Sequence, residues 1–175
     1  MKKTFTYLIL GSLFLSGLIG CLPKDKNTYD GPSLVEFKNH TLAVNSATLA
    51  SIGIVTSPAS QSQTDSSRFI LINTRVTDTV FVQLVGPQQS VALDIPFTVR
   101  PVSTAVEGSH YNLQPAGARK VTIPANSSVG YIIVKPIANS LTTAGDLRTL
   151  FFDLSAGGPV KTSVKYDSFY LTLKR

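Results

Sequence analysis

The chain has 175 residues, of which 43% are hydrophobic and 15% are charged, and its formal net charge is +6. This balance can fill a hydrophobic core and is too apolar for a disordered chain. The length suits one domain with a tether and excludes a large multidomain enzyme. A single Cys excludes an internal disulfide, and with only two His it excludes the usual zinc-ligand sets. We therefore predict that the fold needs no metal and no cofactor.

Residues 1–20 predict a lipoprotein signal peptide. Lys2 and Lys3 precede an uncharged, largely apolar stretch over 8–19, which is shorter than the roughly 20 residues of a membrane-spanning helix. The motif LIGC at 18–21 resembles the bacterial lipobox. That resemblance implies cleavage before Cys21 and attachment of a diacylglyceryl group to its thiol. The alternative is an ordinary signal peptide with a chance Cys near its end.

The lipobox resemblance also implies a location. More than one acyl chain, such as palmitate, at about 0.8 kcal/mol per buried methylene gives durable attachment, so a membrane is a predicted partner through Cys21. In Gram-negative lipoproteins an Asp directly after the Cys favours retention in the inner membrane, whereas Leu22 follows here. We therefore expect an outer-membrane lipoprotein, with the periplasmic and the cell-surface face both open. Segment 21–32 is expected to be the lipidated Cys and a flexible tether, and 33–175 the folded domain.

The charge distribution gives no sign of a nucleic-acid partner. After removal of the two N-terminal lysines, the chain keeps 14 basic and 10 acidic residues, a net charge of +4. The basic residues are scattered and form no stripe of the kind that binds nucleic acid.

Alternation of apolar and polar residues predicts strands along most of the chain, because no segment keeps a helical period over three turns. In 94–100, for example, Ile95, Phe97 and Val99 fall on one face. Pro96 in this segment predicts either an edge strand or an amide position that faces outward. Eight strands are predicted, at Leu34–Phe37, 69–73, 79–85, 94–100, 119–123, 129–137, 150–154 and 169–173.

Short strands with one apolar face favour two sheets packed face to face. The predicted fold is all-β, an immunoglobulin-like antiparallel β-sandwich of about seven to nine strands. Segment 41–66 has no firm period, and we predict a strand followed by a long loop there.

Three segments resemble the pattern of Calx-beta-like sandwich domains: AVEGSHY at 105–111, VTIPANSS at 121–128 and IIV at 132–134. They resemble more closely a family of bacterial lipoproteins of unknown function, over roughly residues 69–175. Members of that family often accompany outer-membrane glycan-uptake systems, which pair a TonB-dependent transporter with a substrate-binding lipoprotein. The resemblance therefore implies a sandwich domain and a partner of that kind.

The same segments also have a structural interpretation. Gly108 suits a turn that needs positive φ, and Pro124 ends a strand by removing a donor. Tyr111 is expected to bury its ring and place its hydroxyl at a carbonyl. Calcium-binding Calx-beta domains gather acidic residues at one end, whereas the carboxylates here are dispersed, so we predict no calcium site around Glu107.

No catalytic motif is recognisable, and we predict that the protein is not an enzyme. There is no G-x-S-x-G sequence, and His40 and His110, the two histidines, are expected to be exposed loop residues. Glycoside cleavage by two dispersed carboxylates, for example from Asp94, Asp153 or Asp167, stays open as an alternative without a positive signal.

Strand parity places three aromatic side chains on the solvent side of the predicted sandwich: Tyr131, Phe151 and Tyr170. Together they could bind a glycan or a protein partner. Against this, a long loop could cover the rings, or a bulge could reverse the parity.

Two functions follow as hypotheses. The preferred one is a lipid-anchored accessory binding module of an outer-membrane nutrient-uptake system. The alternative is a structural or adhesive surface domain with no small-molecule ligand, whose strand edges pair with other chains.

Overall fold

The computed structural model describes residues 29–38, 66–117, 119–155 and 158–175. The proposed lipidation site Cys21, the residue His40 and the strand predicted within 41–66 lie outside these ranges, apart from Ser66. Within the described residues no helix is both long enough and apolar enough to span a bilayer. The strands are β1 Leu34–Phe37, β2 Ser67–Leu71, β3 Asp78–Val85, β4 Leu93–Val99, β5 Tyr111–Gln114, β6 Lys120–Ile123, β7 Val129–Pro136, β8 Leu147–Leu154, β9 Lys161–Thr162 and β10 Ser168–Lys174.

The strands form two five-stranded sheets, which confirms the predicted all-β sandwich. Sheet A has the order β5-β7-β3-β1-β9, and sheet B has the order β2-β10-β8-β4-β6. Neighbouring strands are antiparallel except at two edges, where β9 runs parallel to β1 and β2 runs parallel to β10. The described part of the chain thus holds ten strands rather than seven to nine. The two that were not predicted, β5 and β9, are only four and two residues long.

The predicted alternation accounts for the core between the sheets. On β8, Leu150, Phe152 and Leu154 are buried, whereas Phe151 and Asp153 between them are only partly buried. The rings of Phe37 in sheet A and Phe169 in sheet B lie 5.6 Å apart between their centroids, so aromatic packing joins the two layers.

Pro96 does not lie on an edge strand, so that alternative of the prediction is wrong. The first half of β4, up to Pro96, pairs with β6, and the second half, from Phe97, pairs with β8. The amide of Phe97 donates to Arg119 on the β6 side, so the nitrogen of Pro96 points to the β8 side. Leu154 is the last residue of β8, and it pairs with Phe97. The missing N–H of Pro96 therefore lies just beyond the end of the hydrogen-bond ladder between β4 and β8, where a strand tolerates proline.

The sandwich has two distinct ends. The described chain enters beside the start of β1, where Leu34 pairs with Val85 at the end of β3. We call this the entry end. At the far end, the backbone N–H of Asn139 donates to Oδ1 of Asn73 at 2.8 Å and links two loops. The far-end loops are 72–77, 100–110 and 137–146.

A buried ion pair joins the two sheets near the far end. Nη2 of Arg68 on β2 donates to Oδ2 of Asp78 on β3 at 2.6 Å and to the carbonyl of Thr79 at 2.8 Å. Both charged side chains are 0% exposed. Such charges are tolerated inside a protein only when they are paired and hydrogen-bonded, so the pair ties edge strand β2 to the central strand β3.

Gly130 allows β7 to pack tightly against β6. A Cβ atom at this position would lie 2.6 Å from Cγ1 of Val121 and 2.8 Å from the backbone oxygen of Thr122. We expect Gly130→Ala to lower the free energy of unfolding by about 1–3 kcal/mol, since a backbone carbonyl cannot move aside as a side chain can. Urea denaturation measures this loss. Adding Val121→Ala should not restore stability, because the clash with Thr122 remains. An unchanged midpoint in Gly130→Ala would contradict the close packing.

Candidate functional site

Two of the three predicted aromatic residues lie side by side on the outer face of sheet B. Phe151 on β8 and Tyr170 on β10 are directly opposite each other in the antiparallel register. Their ring centroids are 5.6 Å apart, with an angle of 34° between the ring planes. Tyr170 is 43% exposed and Phe151 is half-buried, so the pair offers an apolar surface to solvent.

Arg100, just after β4, extends this surface. Its Nε donates to Oδ2 of Asp153 at 2.9 Å and its Nη2 donates to Oδ1 at 2.5 Å, a bidentate pair. The guanidinium carbon lies 5.5 Å from the centroid of Phe151, within the range of a cation–π contact. The planar guanidinium is therefore held in place by a carboxylate and by an aromatic ring.

Ser168 at the start of β10 completes the polar half of the site. Its Oγ donates to Oδ1 of Asp153 at 2.8 Å and accepts from Nη2 of Arg100 at 3.2 Å. The hydrogen bond from Arg100 is the main reason that the pKa of the Asp153 carboxyl is lowered, and the bond from Ser168 lowers it further against the opposing effect of burial. The same pairing raises the pKa of Arg100. Both groups are charged at neutral pH.

We call this set of five residues the platform: Arg100, Phe151, Asp153, Ser168 and Tyr170. It combines an apolar aromatic pair with fixed donors and acceptors on one open face. Aromatic rings stack on the apolar faces of sugar rings, and guanidinium, carboxylate and hydroxyl groups bind sugar hydroxyls. Because Arg100 and Asp153 neutralise each other, the platform has the chemistry of a site for neutral, hydroxyl-rich chains.

The third predicted aromatic residue lies elsewhere. Tyr131 on β7 belongs to sheet A and is 44% exposed. The structure therefore brings Phe151 and Tyr170 together and separates Tyr131 from them. Tyr131 lines a cleft on the flank of the sandwich, beside residues of β5 and β6.

Residues in the segment that resembles Calx-beta-like domains, 105–111, make contacts that stabilise the fold. Tyr111 lies on strand β5 rather than in a loop and is 1% exposed, and burial is the main reason that its pKa is raised to about 12. The carboxylate of Glu107 accepts from Nη2 of Arg119 at 2.7 Å and from the backbone N–H of Leu113 at 3.4 Å. His110 is half-buried rather than exposed, because its Nδ1 accepts from the backbone N–H of Val106 at 3.0 Å.

No metal-binding group is present in the described ranges. No three His, Cys, Asp or Glu side chains come together there in a way that could hold an ion.

The alternation predicted for 94–100 puts Arg100 on the face opposite Ile95, Phe97 and Val99, but nothing in the sequence joins Arg100 to Asp153. They are separated by 53 positions, and the pair forms only because β4 and β8 are neighbours in sheet B. Ser168 was also missed, since a lone Ser at a strand start has no distinguishing signal. The sequence signal for the pair was that Arg100 and Asp153 carry opposite charges on polar strand faces. The order of the strands in the sheet was also needed to predict that they meet.

Comparisons with known proteins show a distant likeness in fold. No protein-family model and no curated protein matches the chain. The structure is similar to the apo-form Calx CBD1 domain, with 13% identity and a TM-score of 0.48, over 62% of this chain and 89% of that domain. It is similar to a candidate carbohydrate-binding protein of Bacteroides ovatus, with 12% identity and a TM-score of 0.46, over 63% of this chain and 35% of that one.

A two-domain protein of unknown function from Bacteroides fragilis has 5% identity and a TM-score of 0.49, over 82% of this chain and 45% of that one. The chain therefore spans less than half the length of both Bacteroides proteins.

Proposed function

We propose that this protein is a non-catalytic, lipid-anchored binding module that holds a neutral glycan on the platform of sheet B. The observation that carries the proposal is the bidentate Arg100–Asp153 pair beside the adjacent rings of Phe151 and Tyr170. The platform lies on the outer face of a sheet and is partly exposed, which suits an internal stretch of a glycan chain that passes across the face.

The organisation of the platform supports ligand binding at low entropic cost. Arg100 is held by Asp153, by Ser168 and by the ring of Phe151, so its flexible side chain is ordered before a ligand arrives. An ordered site loses less conformational freedom on binding than a loose one. The side chains of Arg100 and Asp153 are still 41% and 29% exposed, so both can reach a ligand.

The lengths of the edge strands favour glycan binding over the adhesive alternative. Among the described residues, the edge strands of sheet A are β5 and β9, with four and two residues, and those of sheet B are β2 and β6, with five and four. Short edge strands are a common protection against pairing with other chains, because they offer few free hydrogen-bonding groups. These edges therefore give adhesion by strand addition less support than the platform gives glycan binding.

The proposed location gives the platform a biological setting. With acyl chains on Cys21, the tether would join the domain at the entry end, and the far-end loops would point away from the lipid. The flexible tether would leave the outer face of sheet B accessible to solvent. Such a module fits beside a TonB-dependent transporter and its substrate-binding lipoprotein, where it would retain glycan chains for uptake.

The test replaces both aromatic residues of the platform. In the full-length protein in detergent, Phe151→Ala combined with Tyr170→Ala should weaken polysaccharide binding by about tenfold or more, since each stacked ring contributes up to about 1.5 kcal/mol. A glycan array identifies the polysaccharide, and affinity gel electrophoresis with that polysaccharide measures the loss. Both side chains are partly exposed on one sheet face, so the variant should keep its thermal midpoint within a few degrees.

A matched control and a second variant sharpen this experiment. Tyr29→Ala removes a comparably exposed ring (41% exposed) that precedes β1 and lies outside the platform, and it should leave polysaccharide binding unchanged. Asp153→Asn keeps the aromatic pair but weakens the hold on Arg100, and it should reduce binding less than the double replacement. Undiminished binding by the Phe151/Tyr170 variant would contradict the platform. Binding of no glycan by the wild type, with co-purification of an outer-membrane protein, would favour a protein partner.

A further inference from the structure

The flank of the sandwich contains a second site, separate from the platform. A cleft of about 390 Å³ opens between the β5 and β7 side of sheet A and the β4 and β6 side of sheet B. Small-molecule sites typically enclose roughly 300–1,000 Å³. The cleft is open here because β5 ends at Gln114, which pairs with Ile133, and in the part of the chain that the structure describes no strand continues β5 along the first half of β7. We call it the flank cleft.

The floor of the flank cleft is apolar, and its rim is polar. Phe97, Leu113 and Ile132 are buried core residues that form the floor, so the cleft reaches the hydrophobic interior. Around the mouth, Gln114 and Thr122 provide an amide and a hydroxyl, both on exposed residues. An apolar body with a few converging polar groups is the usual composition of a ligand site.

Tyr131 and Lys120 also line the cleft. Tyr131 is an aromatic residue that is 44% exposed. Nζ of Lys120 donates to Oδ2 of Asp94 at 2.5 Å, and Oγ1 of Thr122 donates to Oδ1 of Asp94 at 2.6 Å, so a carboxylate is bound to two of the lining residues. These bonds, the one from Lys120 first, hold the pKa of Asp94 below its usual value, so the carboxylate stays charged and neutralises the ammonium group.

We propose that the flank cleft binds a single neutral pyranose ring, the free end of a glycan chain. The inference rests on the proposed function in taking a glycan as the ligand, but it assigns a different site and a different part of that ligand. The apolar floor and the ring of Tyr131 match the hydrophobic faces of a sugar ring. The amide, hydroxyl and ammonium groups of the lining residues, with the carboxylate of Asp94 bound to two of them, match its hydroxyls, which both donate and accept.

The charge balance of the rim selects a neutral ring over an acidic one. A free lysine would favour a carboxylate or a phosphate, but Lys120 is already paired with Asp94. A uronic acid would have to displace Asp94 or lie beside it, and like charges at close range repel. The flank cleft should therefore prefer methyl glucoside to methyl glucuronide.

The test uses methyl pyranosides as probes. Saturation-transfer difference NMR on the full-length protein in detergent should detect binding of at least one neutral methyl α- or β-pyranoside from a panel of the glucose, galactose, mannose and N-acetylglucosamine derivatives. Tyr131→Ala should weaken that binding by about tenfold, through the loss of stacking. Gln114→Ala should weaken it as well. The Phe151→Ala/Tyr170→Ala variant should bind the methyl pyranoside as the wild type does.

The outcomes separate the two proposals. Wild-type protein that retains polysaccharide but binds no methyl pyranoside overturns the flank cleft and leaves the platform intact. Methyl pyranoside binding that survives Tyr131→Ala and Gln114→Ala, or tighter binding of the glucuronide, also overturns the flank cleft. Loss of methyl pyranoside binding in these variants, with polysaccharide binding unaffected by the platform variant, overturns the platform alone. Tyr131→Ala must keep its thermal midpoint for the comparison to hold. Gln114→Ala also tests methyl pyranoside binding in the flank cleft, and it removes a smaller side chain from the fold.

Discussion

Substitution of Asp78 by alanine is expected to lower the free energy of unfolding by about 3–5 kcal/mol, enough to leave a domain of this size marginally stable. The replacement removes the carboxylate 2.6 Å from Nη2 of Arg68 and leaves a guanidinium group at a position with 0% side-chain exposure. It also removes a favourable charge interaction with Arg75. Burial lowers the pKa of Arg75, and the negative charge of Asp78 raises it. Urea denaturation followed by circular dichroism measures the change.

Two controls distinguish the loss of a charge partner from a simple loss of volume. Replacing both members, as in Arg68→Met with Asp78→Leu, removes the charges together and should recover most of the stability, because an apolar pair is often as stable as a buried ion pair. Asp94→Ala breaks an exposed pair with Lys120 and should shift the midpoint little. If Asp78→Ala is as stable as Asp94→Ala, the buried pair does not hold the sheets together.

Much of the sandwich could be predicted from the sequence because a half-buried strand has a period of two. Ile95, Phe97 and Val99 were assigned to one face, and Ile95 and Phe97 are buried while Val99 is partly buried against the core. Strand β5 was missed because a four-residue strand inside a turn-like motif has too few alternations to be recognised. Strand β9 has two residues and exists only through its pairing with β1.

The candidate sites depended on information that a local pattern does not contain. Parity correctly placed Tyr131 and Tyr170 on outward faces, since both are over 40% exposed. It could not say that β7 and β10 belong to different sheets, because sheet membership follows from the connections between distant strands. For the same reason Asp78 gave no sign of burial, since a lone Asp at a strand start is usually solvated.

Replacement of Cys21 by alanine should abolish lipid attachment completely. Cells grown with labelled palmitate should show label on the wild-type protein and none on Cys21→Ala, because no other thiol is present in the chain to accept a diacylglyceryl group. At about 0.8 kcal/mol per buried methylene, several acyl chains account for durable attachment, and their loss should release the processed protein from membranes or stall the precursor. Mass spectrometry of the N-terminal peptide distinguishes these two forms.

The residue after the lipidated Cys separates anchoring from sorting. Leu22→Asp keeps the thiol, so the variant should carry as much palmitate label as the wild type. Asp at this position resembles the inner-membrane retention signal of Gram-negative lipoproteins, so density-gradient fractionation should find the variant in the inner membrane and the wild type in the outer membrane. Label that persists on Cys21→Ala would contradict the anchor itself. An unchanged location of Leu22→Asp would contradict only the proposed sorting step, because the proposed acylation at Cys21 does not depend on it.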